Sequence, residues 1–179
     1  STINKNIKVH CPVVGDAKSV ISQLDEGIPL SFKPEKQARD EWFTQIKEWE
    51  TSHPTLAIQK GKQIKTSYAI DTISKLTNGK AVVVTDVGQH QMWVAQYYQF
   101  KNPRNQITSG GLGTMGFGFP AAIGAKLGRP KDMVIAVCGD GSFQMNMQEF
   151  STAVENNLDL KIILINNGHH GMVRQWQTL

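Results

Sequence analysis

Residues 133–167 read MVIAVCGDGSFQMNMQEFSTAVENNLDLKIILINN, and this stretch decides the fold. Met133 to Cys138 is a run of apolar, mostly β-branched residues, the composition of a strand covered on both faces. Lys161 to Ile165 reads as a further strand. Between them Met147, Phe150, Ala153 and Val154 recur at helical spacing, predicting a helix over 147–156. Strand, helix and strand in this order form a parallel pair joined by a crossover. Each strand ends in polar or glycine residues: Gly139-Asp140-Gly141-Ser142 after one, Asn166-Asn167-Gly168-His169 after the other. Open parallel sheets bind their ligands beyond the carboxyl ends of the strands, so both ends point to one site.

Working outward, the same alternation extends upstream to Ser67. Tyr68 to Leu76 predicts a helix, stopped by Asn78-Gly79. Ala81 to Thr85 predicts a buried strand ending in Asp86-Val87-Gly88-Gln89-His90, and Gln89 to Tyr98 a further helix. A glycine-rich stretch, 110–118, leads into a helix over 120–127, and Gly128-Arg129-Pro130 turns the chain into the strand at Met133. The fold class is therefore α/β, a parallel sheet flanked by helices, over residues 67–179. Residues 1–33 read as the end of another domain: a short strand over Ile7–Val14, a turn at Gly15-Asp16, and a helix over Lys18–Leu24 with Val20, Ile21 and Leu24 inward. One β-α unit is too little to bury its own core. Residues 34–66 read as a linker with a helix over Lys36–Ser52, entered near Pro34 and ended by His53-Pro54. Ala38, Trp42, Ile46 and Trp49 form its apolar stripe.

Composition excludes several classes. With 40% hydrophobic and 19% charged residues the chain is ordinary for a globular protein. The net charge of +4 comes from lysines and arginines spread along the chain, without basic runs or interleaved aromatics, so nucleic acid is not an expected partner. No apolar run approaches the roughly 18 residues of a membrane helix, and the start, Ser1-Thr2-Ile3-Asn4-Lys5, does not read as a signal peptide. Cys11 and Cys138, far apart in apolar contexts, read as reduced core residues of a cytosolic protein. No membrane partner is expected.

The strand ends carry a definable chemistry. Mg²⁺ takes hard oxygen ligands in octahedral geometry and favours phosphate oxygens. Asp140 offers a carboxylate, Asn167 an amide oxygen, and the backbone near His169 a carbonyl, leaving the other positions to phosphate oxygens and water. Gly139 and Gly141 let the backbone approach a diphosphate, to which Ser142 can donate. The bland alternative, Asp140 capping a helix and Asn166-Asn167 making a loop, leaves the paired strand-end placement unexplained. A second decoy is Gly111-Leu112-Gly113-Thr114-Met115-Gly116, which satisfies the G-x-G-x-x-G pattern of nicotinamide-dependent dehydrogenases. That fingerprint needs a strong preceding strand, and only Gln106-Ile107-Thr108 stands there.

A Gly-Asp-Gly followed by a paired Asn, with 142–165 between them, resembles the signature of thiamine-diphosphate enzymes. Gly88-Gln89-His90-Gln91-Met92-Trp93, the stretch Ser109 to Gly118, and Gly171-Met172-Val173-Arg174-Gln175-Trp176 sharpen this: they resemble segments of acetolactate synthase catalytic subunits. The resemblance covers essentially the whole chain, with Pro12 to Asp16 similar to the end of that family's central, FAD-type domain. It implies thiamine diphosphate and Mg²⁺ as cofactors, with FAD in the full-length enzyme. Gln89 and His90 would bind the diphosphate, with Val87, Gly88, Gly141, Ser142 and Met172 also among the cofactor-binding residues, and the Gly113 backbone would meet the aminopyrimidine. Met115 would wedge between the cofactor rings, as an adaptable apolar side chain can. Asp140, Asn167 and the His169 carbonyl would hold Mg²⁺, while Met172 and Trp176 would line the substrate pocket. Trp176 would favour 2-ketobutyrate as the acceptor.

The implied reaction condenses pyruvate with pyruvate or 2-ketobutyrate after decarboxylation, in branched-chain amino-acid biosynthesis. The implied partners are a second copy in a homodimer or tetramer and a regulatory small subunit. The compartment would be the cytoplasm, or a plastid or mitochondrion in a eukaryote. The family's activating glutamate has no counterpart here, so no complete catalytic set is expected, and the chain reads as a C-terminally truncated portion inactive alone. Two other readings stay open. One is a different thiamine-diphosphate enzyme, such as a catabolic acetolactate synthase, pyruvate oxidase or benzoylformate decarboxylase. The other is a non-catalytic module that binds the cofactor or a partner subunit.

Overall fold

The computed structural model describes residues 2–29, 31–32, 35–54, 58 and 61–179. The chain divides into two compact units, Ser1–Thr55 and Leu56–Leu179.

In the first unit, α1 spans Ala17–Gly27, opened by Asp16, whose carboxylate accepts the Ser19 N–H at 3.0 Å. Helix α2 spans Lys36–Ser52, as its periodicity predicts, and ends at His53. The expected entry at Pro34 and the side chain of Ala38 lie outside the described residues. Ile7–Val14 forms no strand: among the described residues its alternation has no neighbouring strand to pair with, and a lone extended segment leaves its backbone to water. Ile21 and Leu24 are exposed, contrary to the inward placement expected. Trp42 and Trp49 do share a face, their rings edge-on at 5.5 Å, but both are half exposed. Cys11 is exposed and free, not a core residue; Cys138 is buried and free.

The second unit is built on four parallel strands. Helix α3 (Thr66–Leu76) precedes β1 (Val82–Thr85); α4 (Gln89–Tyr97) leads to β2 (Gln106–Thr108). Helix α5 (Gly118–Gly128) leads to β3 (Val134–Gly139), and α6 (Asp140–Met145) with α7 (Phe150–Glu155) to β4 (Leu160–Ile165). Helix α8 spans Gly171–Thr178. The sheet order is β2-β1-β3-β4. Successive strand residues face opposite sides, and each side has its own core. Val82, Val84, Val134, Ala136 and Cys138 pack with Phe119, Ala122 and Ile123 of α5. Val83, Ile135 and Val137 pack with Ile70 of α3 and Val94 of α4. That two-sided cover explains why β1 and most of β3 are apolar without alternation.

Two expectations change. Gln106–Thr108 is a true strand, pairing with β1 from Val83↔Gln106 to Thr85↔Thr108. The helix expected over 147–156 is shorter: a 3₁₀ turn over Met147–Glu149 stands at its start and α7 covers only Phe150–Glu155, while α6 is a separate helix that ends before it at Asn146 (φ −134°, ψ 26°). Of its expected inner face only Ala153 is buried. Met147, Phe150 and Val154 are exposed, although the Phe150 ring still meets Phe119 at 5.0 Å.

Strand order positions the site. From β1 the chain moves to β2 on one side, then crosses β1 to β3, and β4 continues outward. The crossovers diverge between β1 and β3, the switch point where open sheets hold ligands.

Candidate functional site

A half-open cleft lies at that switch point, lined from the ends of β1, β3 and β4. From the β1 end come Val87, Gly88, Gln89 and His90; from the β3 end Asp140, Gly141 and Ser142; from the β4 end Asn167 and His169. Met115 reaches it from the glycine-rich loop, and Met172 from α8. Eleven of the thirteen residues singled out from sequence are thus brought together. Gly113 does not line the cleft but lies just behind Val87, 3.6 Å from its Cγ1 when a Cβ is built. Trp176 also stands outside it and is 71% exposed.

The β1 end is the most tightly built. Asp86 is completely buried, and its carboxylate accepts three backbone N–H groups: Val87 at 2.7 Å, Gly116 at 3.0 Å and Gly118 at 2.8 Å. The Ser142 hydroxyl donates to the Val87 carbonyl at 3.1 Å, tying α6 to this loop. Ser142 was expected to offer that hydroxyl to a diphosphate; in this geometry it is already committed, and Ser142 is buried. Gln91 donates to Thr108 Oγ1 at 2.7 Å and to the Ser109 carbonyl at 3.2 Å, joining α4 to the start of the glycine-rich loop.

His90 stands apart from this saturated network. It is only 5% exposed, and its Nε2 has no hydrogen-bond partner. Burial holds its imidazole below the ordinary 6.5, while the charges of Asp86 and Asp140 pull the other way. A buried polar nitrogen without a partner is costly, and a ligand that supplies the missing bond recovers that cost. Cys138 is no nucleophile: burial, reinforced by Asp86, pushes its thiol up to about 12.

The metal side is different in kind. Among the described residues no group of three or more His, Cys, Asp or Glu gathers into a metal cage. Asp140 and Asn167 instead follow two adjacent, in-register strands, Gly139 pairing with Ile165. One carboxylate, one amide oxygen and a nearby carbonyl make an incomplete oxygen set, of the kind Mg²⁺ fills out with phosphate oxygens and water. The donor set and the orphaned His90 nitrogen both fit a Mg²⁺-diphosphate group.

The dehydrogenase pattern is resolved by topology. Gly111–Gly116 belongs to an irregular loop of bends and a turn between Thr108 and the helix start at Gly118, so there is no tight strand-to-helix turn. Asp140 also follows β3, which does not neighbour β2.

Sequence reasoning missed Asp86, Asn146 and Gln175. Asn146 donates to the Gly116 carbonyl at 2.7 Å, and Gln175 accepts from Gln89 at 2.9 Å, docking α8 on the β1 end. Their partners lie 30 or more residues away, beyond the reach of any local pattern. Trp93, expected only to pack, packs against the core and also borders the cleft.

The segment that builds this site matches a known family. Residues 86–179 match the family described as thiamine pyrophosphate enzyme, C-terminal TPP binding domain, and the chain belongs to that family. Within it the chain is similar to acetolactate synthase large subunits. It is 48% identical over its whole length to the acetolactate synthase large subunit of Buchnera aphidicola subsp. Schizaphis graminum, and 44% identical to the acetolactate synthase isozyme 3 large subunit of Escherichia coli. It is 45% identical, over 98% of its length, to acetolactate synthase 1, chloroplastic, of Nicotiana tabacum. The chain spans 31% of the two bacterial relatives and 26% of the plant one.

Proposed function

We propose that the cleft binds thiamine diphosphate with Mg²⁺, as the cofactor-binding portion of an acetolactate synthase large subunit. What supports the reading is one carboxylate and one amide oxygen beyond adjacent strands, in a cleft that also holds the unpartnered His90 Nε2. Asp140, Asn167 and the His169 carbonyl hold the metal. Gln89 and His90, with the backbone of Val87, Gly88, Gly141 and Ser142, hold the diphosphate. Gly113 presents its backbone to the aminopyrimidine, and Met115 supports the rings. When bound, the cofactor supplies the carbanion-stabilising centre for decarboxylating a 2-keto acid.

Met172 and Trp176 border the substrate, pyruvate first and then pyruvate or 2-ketobutyrate. In the full-length enzyme we infer FAD as a further bound group, a homodimer or tetramer, and a regulatory small subunit. The setting is branched-chain amino-acid biosynthesis, in the cytoplasm or, in a plant, the plastid. Among the described residues no helix is long and apolar enough to cross a membrane.

Calorimetric titration of thiamine diphosphate into the chain, with and without Mg²⁺, tests this. Asp140→Ala is expected to lose more than about 100-fold of the Mg²⁺-dependent affinity, since even outer partners of metal ligands are worth 10–100-fold. Mg²⁺-dependent binding that survives the substitution intact refutes the metal site.

A further inference from the structure

We propose that Asp86 is a positioning residue, whose carboxylate fixes the turn that carries Met115 into the cleft. The clamp is read from geometry alone; that the turn faces cofactor rings rests on the function proposed above.

Two ties converge on residues 116–118. Asp86 Oδ1 accepts from Gly116 and Oδ2 from Gly118, while Asn146 Nδ2 donates to the Gly116 carbonyl. Two of the three N–H groups of this stretch, and one of its carbonyls, are thereby fixed to side chains from two other elements; the third, of Phe117, donates to the Thr114 carbonyl at 3.4 Å. Asp86 is held in turn: its own backbone N–H donates to Val137 of β3 at 3.0 Å, and Oδ1 also accepts from Val87. Further back along the loop, the Ser109 hydroxyl accepts the Thr114 N–H at 3.0 Å. Met115 sits between these ties, with no regular secondary structure around it. Its position is therefore set by hydrogen bonds to side chains, and Asp86 makes the most of them.

The carboxylate is also the only side chain of its size that can serve here. An ionised Asp offers acceptors alone. Asn has one acceptor and one donor, and neither orientation works. With its nitrogen at Oδ1 it faces the N–H groups of Val87 and Gly116; at Oδ2 it faces that of Gly118. Asp86→Asn keeps shape and volume yet turns an attraction into a donor–donor conflict in a fully buried place, so it tests positioning without opening a cavity.

Amide hydrogen exchange and two titrants decide the matter. In Asp86→Asn, exchange across residues 109–118 is expected to quicken by about tenfold or more, with β1 and β3 unchanged. Affinity for Mg²⁺-thiamine diphosphate should fall by about tenfold, while that for Mg²⁺ with inorganic diphosphate, which lacks rings for the turn to support, should stay within about threefold. Equal loss of both titrants, or faster exchange spread evenly over the sheet, would show a general structural role and overturn the proposal; so would an unchanged loop. Should Asp86→Asn not fold, Asn146→Ala cuts the second tie at a half-buried position and is expected to give the same selective pattern, weaker. If the wild-type chain binds neither titrant, the cofactor reading falls, and loop exchange still decides the clamp.

Discussion

The ends of β1 and β4 lie on the same edge of one sheet and are held in opposite ways. At β1, Thr85 and Asp86 are fully buried, and the bonds that shape the loop reach 30, 32 and 55 residues along the chain, to Gly116, Gly118 and Ser142. At β4, Asn166 to His170 are exposed, and their side-chain hydrogen bonds stay close along the chain: Asn166 accepts from the Gly168 N–H, Asn167 from that of His169, and the His169 ring meets Arg174 at 3.5 Å. One side is built by tertiary structure; the other is held by its own residues. Preorganised groups bind without reorganisation at the moment of use. The β1 side therefore has its geometry before any ligand arrives, whereas the β4 side needs ligand oxygens to complete it. For Asn167 the point is concrete. The amide oxygen proposed for Mg²⁺ already accepts the His169 N–H at 3.3 Å, a long bond that a metal ion readily replaces or shares.

The sharpest way to break the contrast is to add one methyl group on each side. At Gly118 a Cβ would stand 2.7 Å from the Asp86 nitrogen and 2.8 and 2.9 Å from its Cβ and Cα, most of this being backbone that cannot swing aside. Gly118→Ala must push the loop off β1 and is expected to cost about 3 kcal/mol, the upper end of overpacking penalties. At Gly168 a Cβ meets nothing within 4 Å, but φ is +71°, so Gly168→Ala carries only backbone strain, about 1 kcal/mol. Urea midpoints at constant slope measure both. A cost for Gly168→Ala equal to that of Gly118→Ala would mean the β4 end is as deeply anchored as the β1 end.

The same contrast explains what the sequence could disclose. Strands β1 and β3 were legible because cover on both faces leaves continuous apolar runs, and α2 because its stripe and the His53-Pro54 stop act within one helix. Strand β2 is three residues long, too short for any period, and exists through its pairing with β1. The 3₁₀ turn over Met147–Glu149 was hidden because Met147, Phe150 and Val154 keep helical spacing through it. The candidate site was read from residues at strand ends, which topology alone brings together. Asp86 gave no local signal: an aspartate after a strand looks the same whether it faces water or is sealed under a loop 30 residues away. Local patterns show which residues end a strand, and only packing shows which of them hold the others.

A smaller effect separates the two sides by pH. His90, on the β1 side, is buried with an unpartnered Nε2 and an imidazole held below 6.5. As pH falls below 6.5 the unfolded chain takes up a proton at this histidine while the folded chain does not. The unfolded state then binds more protons, so stability falls with acidification, from 6.5 down through the lowered folded value. The groups that oppose this are Asp86 and Asp140, whose charges favour the imidazolium. Urea unfolding from about pH 7.5 to about pH 5 should show a loss of stability that His90→Gln reduces, because the substitution removes the titrating group. Saturating Mg²⁺-thiamine diphosphate adds a second expectation. An anionic phosphate oxygen accepting from Nε2–H favours the protonated ring over the neutral one and raises the folded value back toward 6.5, so the ligand should flatten the wild-type slope more than that of His90→Gln. A wild-type slope no steeper than the variant's would mean that His90 is not sealed in the folded chain, and the division between a finished β1 side and an unfinished β4 side would lose its clearest electrostatic mark.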